Sequence, residues 1–84
     1  MKLIFDERAW SDYQYWIKTD KKILKRINLL IRDIQRTPFG GIGDLEPLKY
    51  NWSGFWSRRI TKEHRLVYAI ESNLILIAQC RFHY

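Results

Sequence analysis

Eighty-four residues make one domain with a single small core and no room for a second folded unit. Lys and Arg number 15 against 9 acids, and the net charge of +6 favours a polyanionic partner, either nucleic acid or an acidic protein segment. A lone cysteine, Cys80, excludes an internal disulfide, and with only two histidines beside it no metal-ligand spacing exists, so no metal and no cofactor is expected.

Met1-Lys2 leads directly into Leu3-Ile4-Phe5 and then the charged Asp6-Glu7-Arg8, a pattern without a signal peptide, so a cytoplasmic protein is expected. Lys2 to Phe5 reads as a short strand. Asp6 then caps a helix with Ala9, Trp10, Tyr13, Trp16 and Ile17 at spacings of three and four, an aromatic stripe that reads as core. Thr19 or Asp20 starts a second helix, apolar at Ile23, Leu24, Ile27, Leu30, Ile31 and Ile34 and basic on its other face, which Pro38 ends. The two form an α-hairpin.

Pro38 to Pro47 is a loop with Gly40, Gly41 and Gly43. It lacks the Gly-Lys-Ser/Thr of a phosphate-binding loop and precedes no helix, so its expected use is to turn the chain and place Glu46 over a sheet. Beyond it the apolar period becomes two, and strands are expected at Leu48–Tyr50, Phe55–Ile60, Arg65–Ile70 and Leu74–Phe82. The longest apolar run, Leu74 to Ala78, is far too short to span a bilayer, so no membrane partner is expected. The fold class is α+β over residues 1–84: an N-terminal strand, a two-helix hairpin and an antiparallel β-meander, with the helices packed on one sheet face.

Strand parity tests which side chains meet. A three-residue turn at Glu71-Ser72-Asn73 puts Leu66, Tyr68, Ile70, Leu74, Leu76, Ala78, Cys80 and Phe82 on one apolar face. Arg65, Val67, Gln79, Arg81 and His83 then fall on the other. A turn at Thr61-Lys62-Glu63 sets Arg59 across from Arg65, and like charges facing each other in a sheet imply an anion to bind. One face thus gathers Arg59, Arg65, Arg81 and His83, with Glu46 and Lys49 entering from the preceding loop and strand.

Taken singly, each of these residues has a plainer use: a loop carboxylate paired with Lys49, solvated strand arginines, a frayed terminus. Together they match RNA transesterification. That reaction needs a base for the ribose 2′-hydroxyl, an acid for the leaving 5′-oxygen and cations for the charge growing on phosphorus. Glu46 is the carboxylate expected within reach, His83 the natural acid, and arginine's planar fork suits two phosphate oxygens. His64 is expected at a solvent-exposed turn, outside the site. Trp52, Phe55 and Trp56 read mainly as packing.

The segments Glu46-Pro47-Leu48-Lys49, Gly54-Phe55-Trp56-Ser57-Arg58-Arg59-Ile60, Glu63-His64-Arg65-Leu66-Val67-Tyr68 and Cys80-Arg81-Phe82-His83-Tyr84 resemble the YoeB-type toxins of the RelE superfamily. The resemblance extends over the whole chain, departing at Leu45 and Trp52, where proline and leucine are expected. It implies a RelE-like fold and a metal-independent, ribosome-dependent mRNA interferase that enters the A site of the 70S ribosome and cuts the bound mRNA. It also implies Glu46 as general base, His83 as general acid and Arg65 as transition-state stabiliser. Lys49 and Arg59 would contact phosphate and Tyr84 would orient the substrate, and Arg81, gathered on the same face, is expected to bind phosphate as well. The implied partner is a YefM-type antitoxin with an acidic C-terminal segment, and a homodimer is a further expected assembly. Two other readings stay open, a gyrase poison of the same fold and a non-catalytic basic nucleic-acid-binding module.

Overall fold

Two aspartates start the two helices. Asp6 accepts from the Arg8 N–H at the head of α1 (Glu7–Thr19), and Asp20 accepts from Lys22 and Ile23 at the head of α2 (Lys21–Arg36). Each carboxylate satisfies N–H groups that a first helical turn leaves unpaired. Asp20 also closes α1 through its own N–H to the Trp16 carbonyl, so one residue makes the hairpin turn. The computed structural model describes all of residues 1–84. Its remaining elements are β1 (Lys2–Phe5), β2 (Glu46–Pro47), a 3-10 turn at Tyr50–Trp52, β3 (Trp56–Arg59), β4 (Arg65–Glu71) and β5 (Leu74–Gln79).

The strands form one five-stranded sheet in the order β1-β5-β4-β3-β2, antiparallel except for the β1–β5 pair. The expected class, the succession of elements along the chain and the meander hold, and the helical hairpin carries the chain from β1 at one edge to β2 at the other. α2 buries Ile27, Leu30, Ile31 and Ile34 against Leu66, Tyr68, Ile75 and Ile77 of the sheet. Complete burial of each such aliphatic side chain contributes about 1.5–3 kcal/mol.

Three local expectations need correction. In α1 the inward positions are Ala9, Asp12 and Trp16, while Trp10 and Ile17 face water. The aromatic stripe is therefore only partly core. Asp12 is buried because its carboxylate accepts the Cys80 N–H at 3.0 Å, while Trp16 donates to the Cys80 carbonyl at 2.9 Å. Second, the strand expected at Leu48–Tyr50 forms earlier, as the short β2, and Leu48 and Lys49 then run irregularly into the 3-10 turn, with Tyr50 at φ +56.

The third correction concerns parity. Glu71 pairs directly with Leu74, so the hairpin has a two-residue turn, with Ser72 at φ +52. That slip turns Ile75 and Ile77 inward instead of Leu74 and Leu76. A β-bulge then reverses it. Tyr68 pairs with Ile77 but Val67 pairs with Gln79, leaving Ala78 as the extra residue. Beyond the bulge the expected faces return, with Cys80 in the core and Gln79 beside Val67. Burial, then the Asp12 charge, pushes the Cys80 thiol up to about 12, which keeps it protonated and inert.

Arg58 lies on the helix-covered face opposite Leu66 and is fully buried, at 0% exposure. All five guanidinium N–H groups are used. Nε donates to Tyr68 Oη at 3.2 Å, and the terminal nitrogens reach Asp33 Oδ2 (2.6 Å) and the carbonyls of Ile42 (3.1 Å), Thr37 (2.8 Å) and Gly40 (2.6 Å). One cation thus binds α2, β4 and the glycine loop together. Gly41, at φ +97, has no room for a Cβ because Asp33 Oδ2 occupies that space. The Asp33 carboxyl titrates below its ordinary 3.8, through the Ile42 N–H bond first and Arg58 second.

Arg58→Met should therefore lower stability by about 3–5 kcal/mol, because it leaves Asp33 without its buried partner. Urea unfolding followed by circular dichroism measures this. A depressed native pKa stabilises fully above the unfolded value and is lost as pH falls through the native one. In Asp33→Asn the acid limb of the stability–pH curve below 3.8 should flatten.

Candidate active site

Strand register sets one row of side chains across the open sheet face. Glu46 pairs with Ser57, Ser57 with Val67 and Val67 with Gln79, while Arg59 pairs with Arg65 one step along. Directly opposed residues share a face, so Glu46, Ser57, Arg59 and Arg65 project together. The expected opposition of Arg59 and Arg65 is present, and the two are not equivalent. Arg65 is 5% exposed. Its Nε and one terminal nitrogen donate to Ser57 Oγ at 3.1 and 2.8 Å, and the same terminal nitrogen donates to the Asp44 carbonyl at 2.9 Å. Arg59 remains open to water.

The anion that this pair implies belongs to the protein itself. Asp44 Oδ2 stands 3.5 Å from Arg59 and 3.7 Å from Nη1 of Arg65, and Glu46 Oε1 stands 3.7 Å from Nη2, the nitrogen that also bonds Ser57. Two carboxylates reach this face, where Glu46 alone was expected. Asp44, like Tyr50, holds a left-handed backbone, at φ +52. The loop that Arg58 fixes therefore delivers both acids.

The C-terminal tail closes the group. Tyr84 Oη donates to Glu46 Oε1, and the His83 and Tyr84 rings lie 4.6 Å apart between centroids. Partial burial, then the Glu46 carboxylate, holds the Tyr84 phenol above its ordinary 10.0, against the pull of Ser57 and Arg65. The phenol thus keeps its proton and acts as donor. Glu46, Leu48, Lys49, Tyr50, Trp52 and Tyr84 line an adjoining cavity of about 470 Å³. Tyr50 is 92% exposed at its rim.

Of the residues expected from sequence, Glu46, Arg65 and Tyr84 come together through direct contacts and Arg59 joins them through Asp44, with Lys49 on the cavity wall and exposed His83 beside Tyr84. Arg81 does not join them. Its guanidinium lies 3.5 Å from the centroid of the Tyr15 ring on α1 and 4.4 Å from that of Phe82. Phosphate contact by Arg81 is corrected accordingly to a cation–π clamp of the tail onto α1. His64 is also reassigned, being half-buried and engaged with Trp16 and Phe82.

Residues 5–84 match the family described as the YoeB-like toxin of bacterial type II toxin–antitoxin systems. The chain belongs to the YoeB family. It is 64% identical to Toxin YoeB of Escherichia coli K12 and 50% identical to Toxin YoeB of Streptomyces coelicolor, over all 84 residues and the full length of each. The YoeB/ParE toxin from Agrobacterium tumefaciens superposes with a TM-score of 0.97 at 49% identity, each chain covered completely. YoeB in the YoeB–YefM complex from Staphylococcus aureus gives 0.93 at 45% identity, covering 100% of this chain and 98% of that one. YafQ of E. coli, at 17% identity and a TM-score of 0.75, shares the fold.

Two residues of this YoeB-family site escaped the sequence reading. Ser57 could have been found, since it lies two residues before Arg59 and therefore on the same strand face. Asp44 gave no such signal, because its left-handed backbone before β2 lies outside strand alternation. Because Asp44 occupies the space between two arginines, Asp44→Asn should tighten binding of a short RNA oligonucleotide about threefold or more at low salt, and less at high salt. Fluorescence anisotropy with a labelled oligonucleotide checks this.

Proposed function

We propose that this YoeB-family toxin is a ribosome-dependent endoribonuclease that cuts A-site mRNA in the cytoplasm and so arrests translation. The observation that carries the reading is the Glu46–Tyr84–Arg65 group, a carboxylate held between a phenol donor and a buried guanidinium at the lip of a cavity. Tyr84 Oη donates to the carboxylate oxygen that a ribose 2′-hydroxyl would have to reach. RNA binding replaces one hydroxyl donor with another.

Glu46 takes the 2′-hydroxyl proton as the oxygen attacks phosphorus. Arg65, and Arg59 with Lys49 at the rim, bind the non-bridging oxygens where charge grows. The bond from phosphorus to the 5′-oxygen breaks, His83 gives that oxygen a proton, and a 2′,3′-cyclic phosphate remains. Tyr84 orients the nucleotide. Arg65 suits its role because Ser57 and the Asp44 carbonyl already fix the guanidinium, so little reorganisation accompanies the reaction.

Purified protein incubated with programmed ribosomes should produce new mRNA ends at the A-site codon, carrying cyclic phosphate. Arg65→Ala should lower the rate by roughly 10²–10³. Removal of His83 and Tyr84 should lower it by about 10²–10⁴ or more, with the fold retained by circular dichroism. Full activity in either folded variant, or wild-type protein that leaves mRNA intact, would return the protein to the gyrase-poison or binding-module reading.

The partner that fits this face is a YefM-type antitoxin whose acidic C-terminal segment takes the anion positions beside Arg59 and Arg65. The net charge of +6 and the YoeB–YefM complexes of S. aureus support that partner, and the S. aureus YoeB dimer supports a homodimer. Calorimetry of toxin with such an acidic peptide should show affinity falling as salt rises, with inhibition lost in parallel. A bound complex that still cuts mRNA would refute this partner's role.

A further inference from the structure

The chain end carrying His83 and Tyr84 is not held by strand pairing. The β5 ladder stops at Gln79, and Phe82 then takes φ +67, a left-handed conformation strained for a residue with a side chain. Such a residue keeps its shape only where its surroundings impose it. Here both of its peptide groups are taken by two consecutive residues of another segment. The Phe82 N–H donates to His64 Nδ1 at 2.8 Å, and the Phe82 carbonyl accepts from the Arg65 N–H at 3.0 Å.

A backbone N–H can only donate, so Nδ1 of His64 carries no proton and the neutral ring holds its proton on Nε2. Packing fixes the ring for this task. Its centroid lies 4.8 Å from that of Trp16 at 77°, an edge-to-face contact, and 6.0 Å from that of Phe82. Trp16 in turn donates to the Cys80 carbonyl at the start of the same tail.

We propose that His64 is a positioning residue for RNA cleavage. Its Nδ1 fixes the turn at Phe82 that sets Tyr84 on Glu46 with His83 beside it, without touching substrate. The catalytic half rests on the mRNA-cleavage reading above, whereas the anchoring half stands on the geometry of the free protein.

Two substitutions separate the hydrogen bond from the packing. His64→Leu keeps apolar bulk against Trp16 but has no acceptor, and His64→Asn keeps an acceptor oxygen near the place of Nδ1 with less bulk. Amide exchange at Phe82 should quicken about fivefold or more in His64→Leu and stay near wild type in His64→Asn. In the ribosome assay His64→Leu should lose about tenfold in kcat with KM little changed, and His64→Asn should recover most of the loss. In wild-type protein, nitrogen NMR should show a bare Nδ1 coupled through the hydrogen bond to the Phe82 amide, which needs no variant to fold. A protonated Nδ1 at neutral pH, unchanged Phe82 protection in His64→Leu, or a His64→Asn protein no better than His64→Leu would each overturn the proposal. Wild-type protein that cuts no mRNA would overturn the catalytic half together with the cleavage reading, leaving the exchange measurements to decide the anchor.

Discussion

The site depends on a cation that never faces it. Arg58 and Arg59 are adjacent on β3, and strand alternation sends one to each side of the sheet. Arg58 goes under α2, where a bare charge would cost far more than the fold can offset. Its five hydrogen bonds remove that cost, and three of them end on loop carbonyls. A loop with little apolar packing is thereby fixed between α2 and the sheet, and its continuation carries Asp44 and Glu46 onto the open face. Loosening Arg58 would move the acids before it exposed the core.

Much of this was legible in the sequence because two periods and two caps were strong. Asp6 and Asp20 mark the helix starts, the Ile-Leu stripe of α2 names its buried face, and the change to period two marks the sheet. The Arg59–Arg65 opposition followed from turn length alone. What could not be read was the compensation in β5. A turn one residue shorter than expected and a bulge at Ala78 cancel, so the faces of Gln79 and Cys80 came out right although those of Leu74 to Ile77 did not. Parity sees only the sum of such irregularities. Arg81 shows the other limit, since a strand rule cannot extend past the residue where the strand ends.

A chain terminus is an unpromising place for a proton donor, because ends fray. Here the lost strand ladder is replaced by side chains at two points. Asp12 and Trp16 take both peptide groups of Cys80, and His64 and the Arg65 backbone take both of Phe82. Arg81, packed on Tyr15, adds a third hold. The tail is ordered by helix α1 and by the start of β4, and the second of these is also the source of Arg65. The His83–Tyr84 tail and Arg65 are thus positioned from one point, so their relative placement tolerates little independent drift.

Without RNA, the cations of the open face are neutralised from within. Asp44 bridges Arg59 and Arg65, Glu46 leans on Arg65, and Tyr84 caps Glu46. These pairs are partly solvated, with Asp44 and Arg59 both more than half exposed, so each contributes little and is readily exchanged. An incoming phosphate or an acidic peptide meets the same arrangement and must displace the same carboxylate from the same two guanidinia. Under the proposed function, substrate and antitoxin would therefore compete for one set of charges, and blocking the face would require no change of fold. Arg65 does not depend on those exchangeable acids, because Ser57 and a backbone carbonyl hold its guanidinium in place.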